Sequence, residues 1–330
     1  MSKKIFVTGG AGYVGSVLVP QLLAKGHQVK VLDLYMYGER VLDSVKNHPG
    51  LVQVKGDLRD RKLLEREIPG CDTVIHLACI SNDPSFELNP SLGKSINYDA
   101  FLDLVDVSKK SRVRNFIYAS SSSVYGIKDE PEVTEDLPLV PLTDYSKYKA
   151  ECEKVLLPAA DDRFVVTILR PATVCGYSPR LRLDLTVNIL TNHAVNKGKI
   201  TVFGGEQMRP NLHIQDMCAA YLFLLEQPNE KIQKKIYNVG HHNYKVKEIA
   251  EIVRKTVNQN IVIEVTPSPD NRSYHVSSRR IKDELGFFAK HTVEEAVGDL
   301  KRAFAEGKIP NALDDIRYYN IKTMQTIHLK

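Results

Sequence analysis

No C-x-x-C pair occurs in this chain of 330 residues, and its five cysteines (Cys71, Cys79, Cys152, Cys175 and Cys218) are scattered and odd in number. That pattern argues against a disulfide framework and against a zinc site, so buried, reduced thiols are expected. No metal is expected at His213, His241 and His242 either. They lack metal spacing on a common helix and read as hydrogen-bonded structural residues. No apolar run approaches the length of a membrane span, and Met1-Ser2-Lys3-Lys4 passes straight into a strand pattern, so a cytoplasmic protein with no membrane partner is expected. Long single-sign charge runs are absent as well. With 45 Lys+Arg against 40 Asp+Glu, the formal charge of +5 gives little reason to propose nucleic acid, while small anionic ligands remain open. There are no repeats or low-complexity segments. What the chain does have is apolar content of 43%, ample for one large α/β unit or two domains.

The N-terminal half alternates strand and helix patterns. Residues 4–8 read as a short buried strand that runs into Gly9-Gly10-Ala11-Gly12-Tyr13-Val14-Gly15 and then an apolar helix pattern. Strand, glycine turn and helix in that order let backbone approach a pyrophosphate lying on the helix N-terminus. The next strand, 28–33, ends in Asp33 about twenty residues beyond the glycines, where a carboxylate can take the adenosine ribose hydroxyls; this favours NAD over NADP. Further strands are expected at 51–55, 73–77 and 115–119. A short helix is expected over 61–68 and a long one over 91–110, with Ile96, Leu102, Leu104 and Val105 inward. Repeated β-α units imply an α/β, doubly wound parallel sheet with ligands beyond the carboxyl ends of its strands. Asp57, the stretch from Ala78 to Ser81, and Ser120 to Ser123 all stand just after such strands.

Tyr145 and Lys149 are four residues apart at the start of a helical pattern, on one face and one turn apart. Alone, the pair is better read as an aromatic ring along a lysine stem. A phenol with an ordinary pKa of about 10 can nevertheless serve as a base where a neighbouring ammonium favours its ionised form.

Taken together, the glycine turn, Asp57-Leu58, His76-Leu77-Ala78-Cys79, the serine run and Tyr145-x-x-x-Lys149 resemble the extended short-chain dehydrogenase/reductase superfamily. Arg170-Pro171, the stretch from Arg209 to Asp216 and Tyr237-Asn238-Val239-Gly240 extend the resemblance over nearly the whole chain. The resemblance implies a Rossmann-type sheet with a smaller, interleaved substrate lobe, the NAD domain being 1–172 and 213–240 and the lobe 173–212 and 241–330. It makes Tyr145 the general acid/base, with Lys149 lowering its pKa and holding the nicotinamide ribose, and Ser121 the partner of the reacting sugar oxygen. Gly9, Gly12, Tyr13, Val14, Gly15, Asp33, Leu77 and Ala78 would line the dinucleotide, Asp57 and Leu58 would flank the adenine, and Asn97 would order the loop beneath it. A homodimer is implied, through the helices that begin near Ser91 and Tyr145.

The same resemblance narrows the chemistry to a nucleotide-diphosphate sugar. Relatives that dehydrate the sugar at C4 to C6 carry Asp-Glu where this chain has Ser122-Ser123, and neither hydroxyl can replace a carboxylate, so that activity is not expected. A 4-epimerase is expected instead. Alternatives are a C4 dehydrogenase or 4-ketoreductase, including enzymes of nucleotide-heptoses, and a non-catalytic NAD-binding regulator. Ser81, Ser122, Ser123 and Thr173 would face the sugar, Thr173 replacing the asparagine of the hexose epimerases. Asn188, Arg209 and Arg272 match residues that hold the diphosphate, for which a guanidinium fork is suited. Arg180 and Arg182 suit an anionic substrate, although surface pairing with Asp184 reads about as well.

Overall fold

Four strands of the sheet, β1 (Lys4–Thr8), β4 (Thr73–His76), β5 (Asn115–Ala119) and β6 (Val165–Pro171), are buried along nearly their whole length. Parallel strands covered on both faces must be so, which is why they read as unbroken apolar runs. The computed structural model describes residues 2–268 and 273–327. With β2 (Gln28–Asp33), β3 (Leu51–Lys55) and β10 (Lys235–Val239), these strands form a seven-stranded parallel sheet in the order β10-β6-β5-β4-β1-β2-β3. Alternate residues of β1 serve opposite cores. Ile5 and Val7 join Leu18, Leu22 and Tyr221 on one face, and Phe6 joins Leu64, Phe101, Phe116 and Leu156 on the other. Strand order reverses between β1 and β4, and the crevice at their carboxyl ends is where such sheets bind ligands.

Helices α1 (Gly15–Ala24), α2 (Arg61–Glu67), α5 (Ala100–Lys110), α6 (Asp144–Ala159) and α8 (Ile214–Glu226) cover the sheet. The helix expected over 91–110 is present without a break, but it changes winding within its length. After α3 (Asp83–Glu87) and α4 (Pro90–Lys94) comes a π turn at Ser95–Asp99, and only then α5. Of the residues expected inward, Ile96, Leu104 and Val105 are buried, joined by Phe101, while Leu102, about 200° around the helix from Leu104, is 38% exposed.

The remaining elements build the lobe over the carboxyl edge. β7 (Thr173–Cys175), β9 (Met208–His213) and β11 (His242–Lys245) form a three-stranded sheet, and β8 (Lys199–Phe203) pairs with β12 (Val262–Thr266). α7 (Thr186–Lys197), α10 (Val246–Val257) and α12 (Val293–Ala305) close around Val187, Leu190, Ile200, Ile249 and Val297. α9 (Asn229–Ile232) leads into β10, which returns to the large sheet beside β6, and α11 (Arg279–Leu285) packs on β10. The chain ends in α13 (Asn320–Ile327). No helix among the described residues is long and apolar enough to cross a membrane.

Candidate active site

A cleft of about 510 Å³ lies along the carboxyl ends of β1, β2, β4 and β5. Its floor is the glycine turn. Gly9 has φ +75°, and a Cβ there would stand 2.6 Å from the Ala78 backbone; at Gly15 a Cβ would stand 2.5 Å from Gly10 Cα. Only glycine lets the turn lie this close to the loop after β4 and to its own helix. A Cβ on Gly12 would meet only Gly9 O, at 3.1 Å, so Gly12 borders open cleft above the α1 N-terminus. Such a cradle fits a dinucleotide pyrophosphate.

Asp33 lies along the same arm. Its Oδ2 accepts from Ala11 N at 2.9 Å and its Oδ1 from Tyr35 N at 2.8 Å, which orients the carboxylate and leaves a lone pair on each oxygen for ribose hydroxyls. Burial pushes its carboxyl up, against the pull of these bonds and of Arg180. Asp57 is engaged by Arg59 at 2.6 Å; burial works to raise its carboxyl, but those bonds hold it below the usual range. Asn97 does not reach the cleft surface. From the π turn its amide accepts from Ile80 N at 2.8 Å and donates to Ile80 O at 2.9 Å, pinning the loop under the site.

At the other arm β5 ends and α6 begins. Thr143 caps α6 in a reciprocal bond with Ser146 and donates to Asp83 Oδ1 at 2.6 Å, which sets the first turn and with it Tyr145. Lys149 Nζ donates to Ala119 O at 2.6 Å and stands 5.9 Å from the Tyr145 ring centroid. Ser121 Oγ lies 2.9 Å from Ser123 Oγ and acts on the ionisation of the Tyr145 phenol. Burial pushes that phenol well above its ordinary range, with the charges of Cys79 and Asp83 acting in the same sense. Arg182 and Ser121 oppose it.

On the lobe side, Thr173, Arg180, Arg182 and Arg209 line the cleft, together with Ser81, Ser122 and Ser123. Arg209 Cζ lies 5.7 Å from the Tyr274 ring centroid. The diphosphate contact expected of Asn188 is corrected by its surroundings. It is wholly buried, accepting from Gly176 N and donating to Tyr13 OH and Arg182 O, so it braces the wall behind the cleft and has no capacity left for a diphosphate. Arg272 lies outside the described residues. Arg182 does pair with Asp184, at 2.9 Å, but in the interior and not at the surface. Among the described residues no group of three or more His, Cys, Asp or Glu could hold a metal ion.

Residues 5–240 match the family model described as the NAD dependent epimerase/dehydratase family. The chain belongs to that family. It is 30% identical over 311 residues to a UDP-glucose 4-epimerase of Corynebacterium glutamicum, covering 88% of this chain and 92% of the relative. Among solved structures it is similar to a dTDP-glucose 4,6-dehydratase of Streptomyces venezuelae with NAD bound, at TM-score 0.82 and 25% identity, covering 92% of this chain and 98% of that one. A UDP-N-acetylglucosamine 4-epimerase of Methanobrevibacter ruminantium shares the fold at TM-score 0.83 and 23% identity, over 92% of this chain and 99% of that one. Membership in the family makes this an NAD-dependent epimerase/oxidoreductase.

Several cleft residues carry no sequence signal. Tyr37, Asp184, Tyr274, Asn320 and Met324 line it alongside the expected residues. Asn320 is the most consequential. Its Nδ2 donates to Ser81 Oγ at 2.8 Å, its Oδ1 accepts from Arg180, and its backbone N–H donates to Asp184 Oδ2 at 3.0 Å. The tail after Gly307 thus folds back onto the site, with Tyr318 and Tyr319 packed beside Leu181 and Leu183.

Proposed function

We propose that this enzyme interconverts C4 epimers of a nucleotide-diphosphate sugar, through transient oxidation at C4. Bound NAD would supply the hydride acceptor and, on the return, the donor. Tyr145 as phenolate takes the proton of the C4 hydroxyl, Ser121 holds the same oxygen, and Lys149 sits behind the pair. The ketone then turns in the pocket, hydride returns to its other face, and Tyr145 gives the proton back. Thr173, Ser122 and Ser123 face the sugar, and Arg209 holds the diphosphate. The substrate lobe is taken as 173–212 and 241–330, and the working unit as a homodimer through the helices of residues 91–110 and 144–159.

The observation that supports this reading is that, among the described residues, no disposable carboxylate stands beside Ser121. Dehydration across C5 and C6 needs an acid and a base in addition to the tyrosine. The two positions after Ser121 are hydroxyls, and the described aspartates of the cleft are engaged: Asp33 by Ala11 and Tyr35, Asp57 by Arg59, Asp83 by Thr143, Asp184 by Arg182. Chemistry is thereby confined to one carbon. The likeness to UDP-glucose 4-epimerases makes UDP-glucose and its C4 epimer the first pair to try. Chromatography of the purified enzyme with candidate nucleotide sugars is expected to show a C4 epimer with no net change in cofactor absorbance. Stoichiometric NADH with a 4-keto product would instead make it a C4 dehydrogenase.

A further inference from the structure

Arg180 and Arg182 present more buried donors than the described protein satisfies. They are 4% and 8% exposed. Arg180 donates from Nη2 to Asn320 Oδ1 and stacks its guanidinium 3.5 Å from the Tyr37 ring centroid, yet its Nε and Nη1 have no partner. Arg182 reaches Asp184 through Nε and Ser81 Oγ through Nη1 at 3.1 Å, and its Nη2 has none. Desolvation, with the neighbouring Arg182 charge, lowers the Arg180 guanidinium to about 10 against the pull of Tyr37, Asp184 and Asp33. Buried guanidinium donors left open are costly, so an anion is called for.

Position identifies which anion. The segment 176–182 is bolted to the glycine turn: Tyr13 OH donates to Gly176 O at 2.6 Å, and Ser178 Oγ donates to Tyr13 O at 2.7 Å. Ser178 Oγ also lies 2.7 Å from Ser16 Oγ, which accepts from Arg180 N at 3.3 Å. Tyr13 and Ser16 flank the N-terminus of α1, and the Arg180 charge acts on Asp33. We propose that Arg180 and Arg182 clasp the pyrophosphate of bound NAD, with Asn320 of α13 as the positioning residue that aims Arg180. The clasp comes from the lobe and is locked by the tail, so it holds NAD through repeated turnovers. It rests on the NAD dependence of the family and is independent of the sugar chemistry proposed above.

The test is the dissociation of NAD from Arg180→Gln, Arg182→Gln and Asn320→Ala, measured by cofactor content after purification and by direct binding. UDP binding is measured in parallel. Loss of one charged bond pair is expected to weaken NAD about 10- to 100-fold in each glutamine variant with UDP affinity unchanged. Arg180→Lys should recover only part, since an ammonium keeps the charge without the fork. Asn320→Ala retains both arginines and keeps the test open should a glutamine variant fail to fold; it is expected to release NAD several-fold faster. Unchanged NAD binding in the folded variants would overturn the proposal, and so would weakened UDP binding with NAD intact, which would assign the arginines to the substrate diphosphate.

Discussion

Tyr145 is set in surroundings that oppose its use as a base: burial raises the phenol, and Arg182 and Ser121 are what pull it back. Replacing Tyr145 with Phe removes the proton carrier without changing ring volume. Turnover is expected to fall about 10²- to 10⁴-fold while NAD binding is spared, measured by steady-state kinetics and cofactor titration. A second residue, His76, reports on the floor of the sheet. It lies 2.7 Å from Thr8 Oγ1 among Phe101, Phe116 and Tyr118, and burial, with Lys149 adding, pushes its imidazole down to about 3. A folded-state pKa below the unfolded value of about 6.5 means that the neutral ring stabilises the protein above that pH. The contribution is lost as pH falls from about 6.5 toward 3, at up to about 1.4 kcal/mol per pH unit. His76→Gln cannot titrate, so its urea midpoint should change less between pH 7 and pH 5 than that of the wild type. A parallel pH profile would refute the assignment.

At the scale of elements, the glycine turn separates into structural and ligand-facing positions. A methyl at Gly15 would be driven into the backbone of Gly9 and Gly10, whereas one at Gly12 would press only on Gly9 O, at 3.1 Å. Gly15→Ala is expected to lower stability by about 1–3 kcal/mol in cofactor-free urea titrations. Gly12→Ala should cost less stability than Gly15→Ala while reducing NAD binding. The strand, turn and helix are legible in the sequence because buried parallel strands are written as apolar runs and the turn requires glycine. The π turn is not: its reward is the bond pair between Asn97 and Ile80, partners 17 residues apart that no helical period announces. Leu102 and Asn188 depart from expectation for different reasons. Leu102 stands about 200° around its helix from the buried Leu104 and so faces outward, and a close-packed lobe wall takes the side-chain bonds of Asn188.

The whole molecule depends on its last residues more than their composition indicates. Ile309 and Ala312 complete the core that contains Tyr13, Leu181 and Leu183, with Tyr318 and Tyr319 against it, and Met324 joins Ile80, Phe86 and Ile96. Removing the chain after residue 307 should strip these faces. The expected outcome is a protein with far-UV circular dichroism close to native but a lower melting temperature and no retained NAD; full NAD retention would show that the tail is dispensable. By itself the sequence determined the sheet, the glycine turn and the placing of Tyr145 and Lys149 on one face of a helix, because each is encoded by a local period or a short spacing. Only the tertiary structure decided that Arg180 and Arg182 are interior, that Asn188 is spent on the wall, and that Asn320 enters the site. Those outcomes depend on contacts across as many as 239 residues of chain, such as Asn320 on Ser81, where the desolvation of one segment is settled by the packing of another.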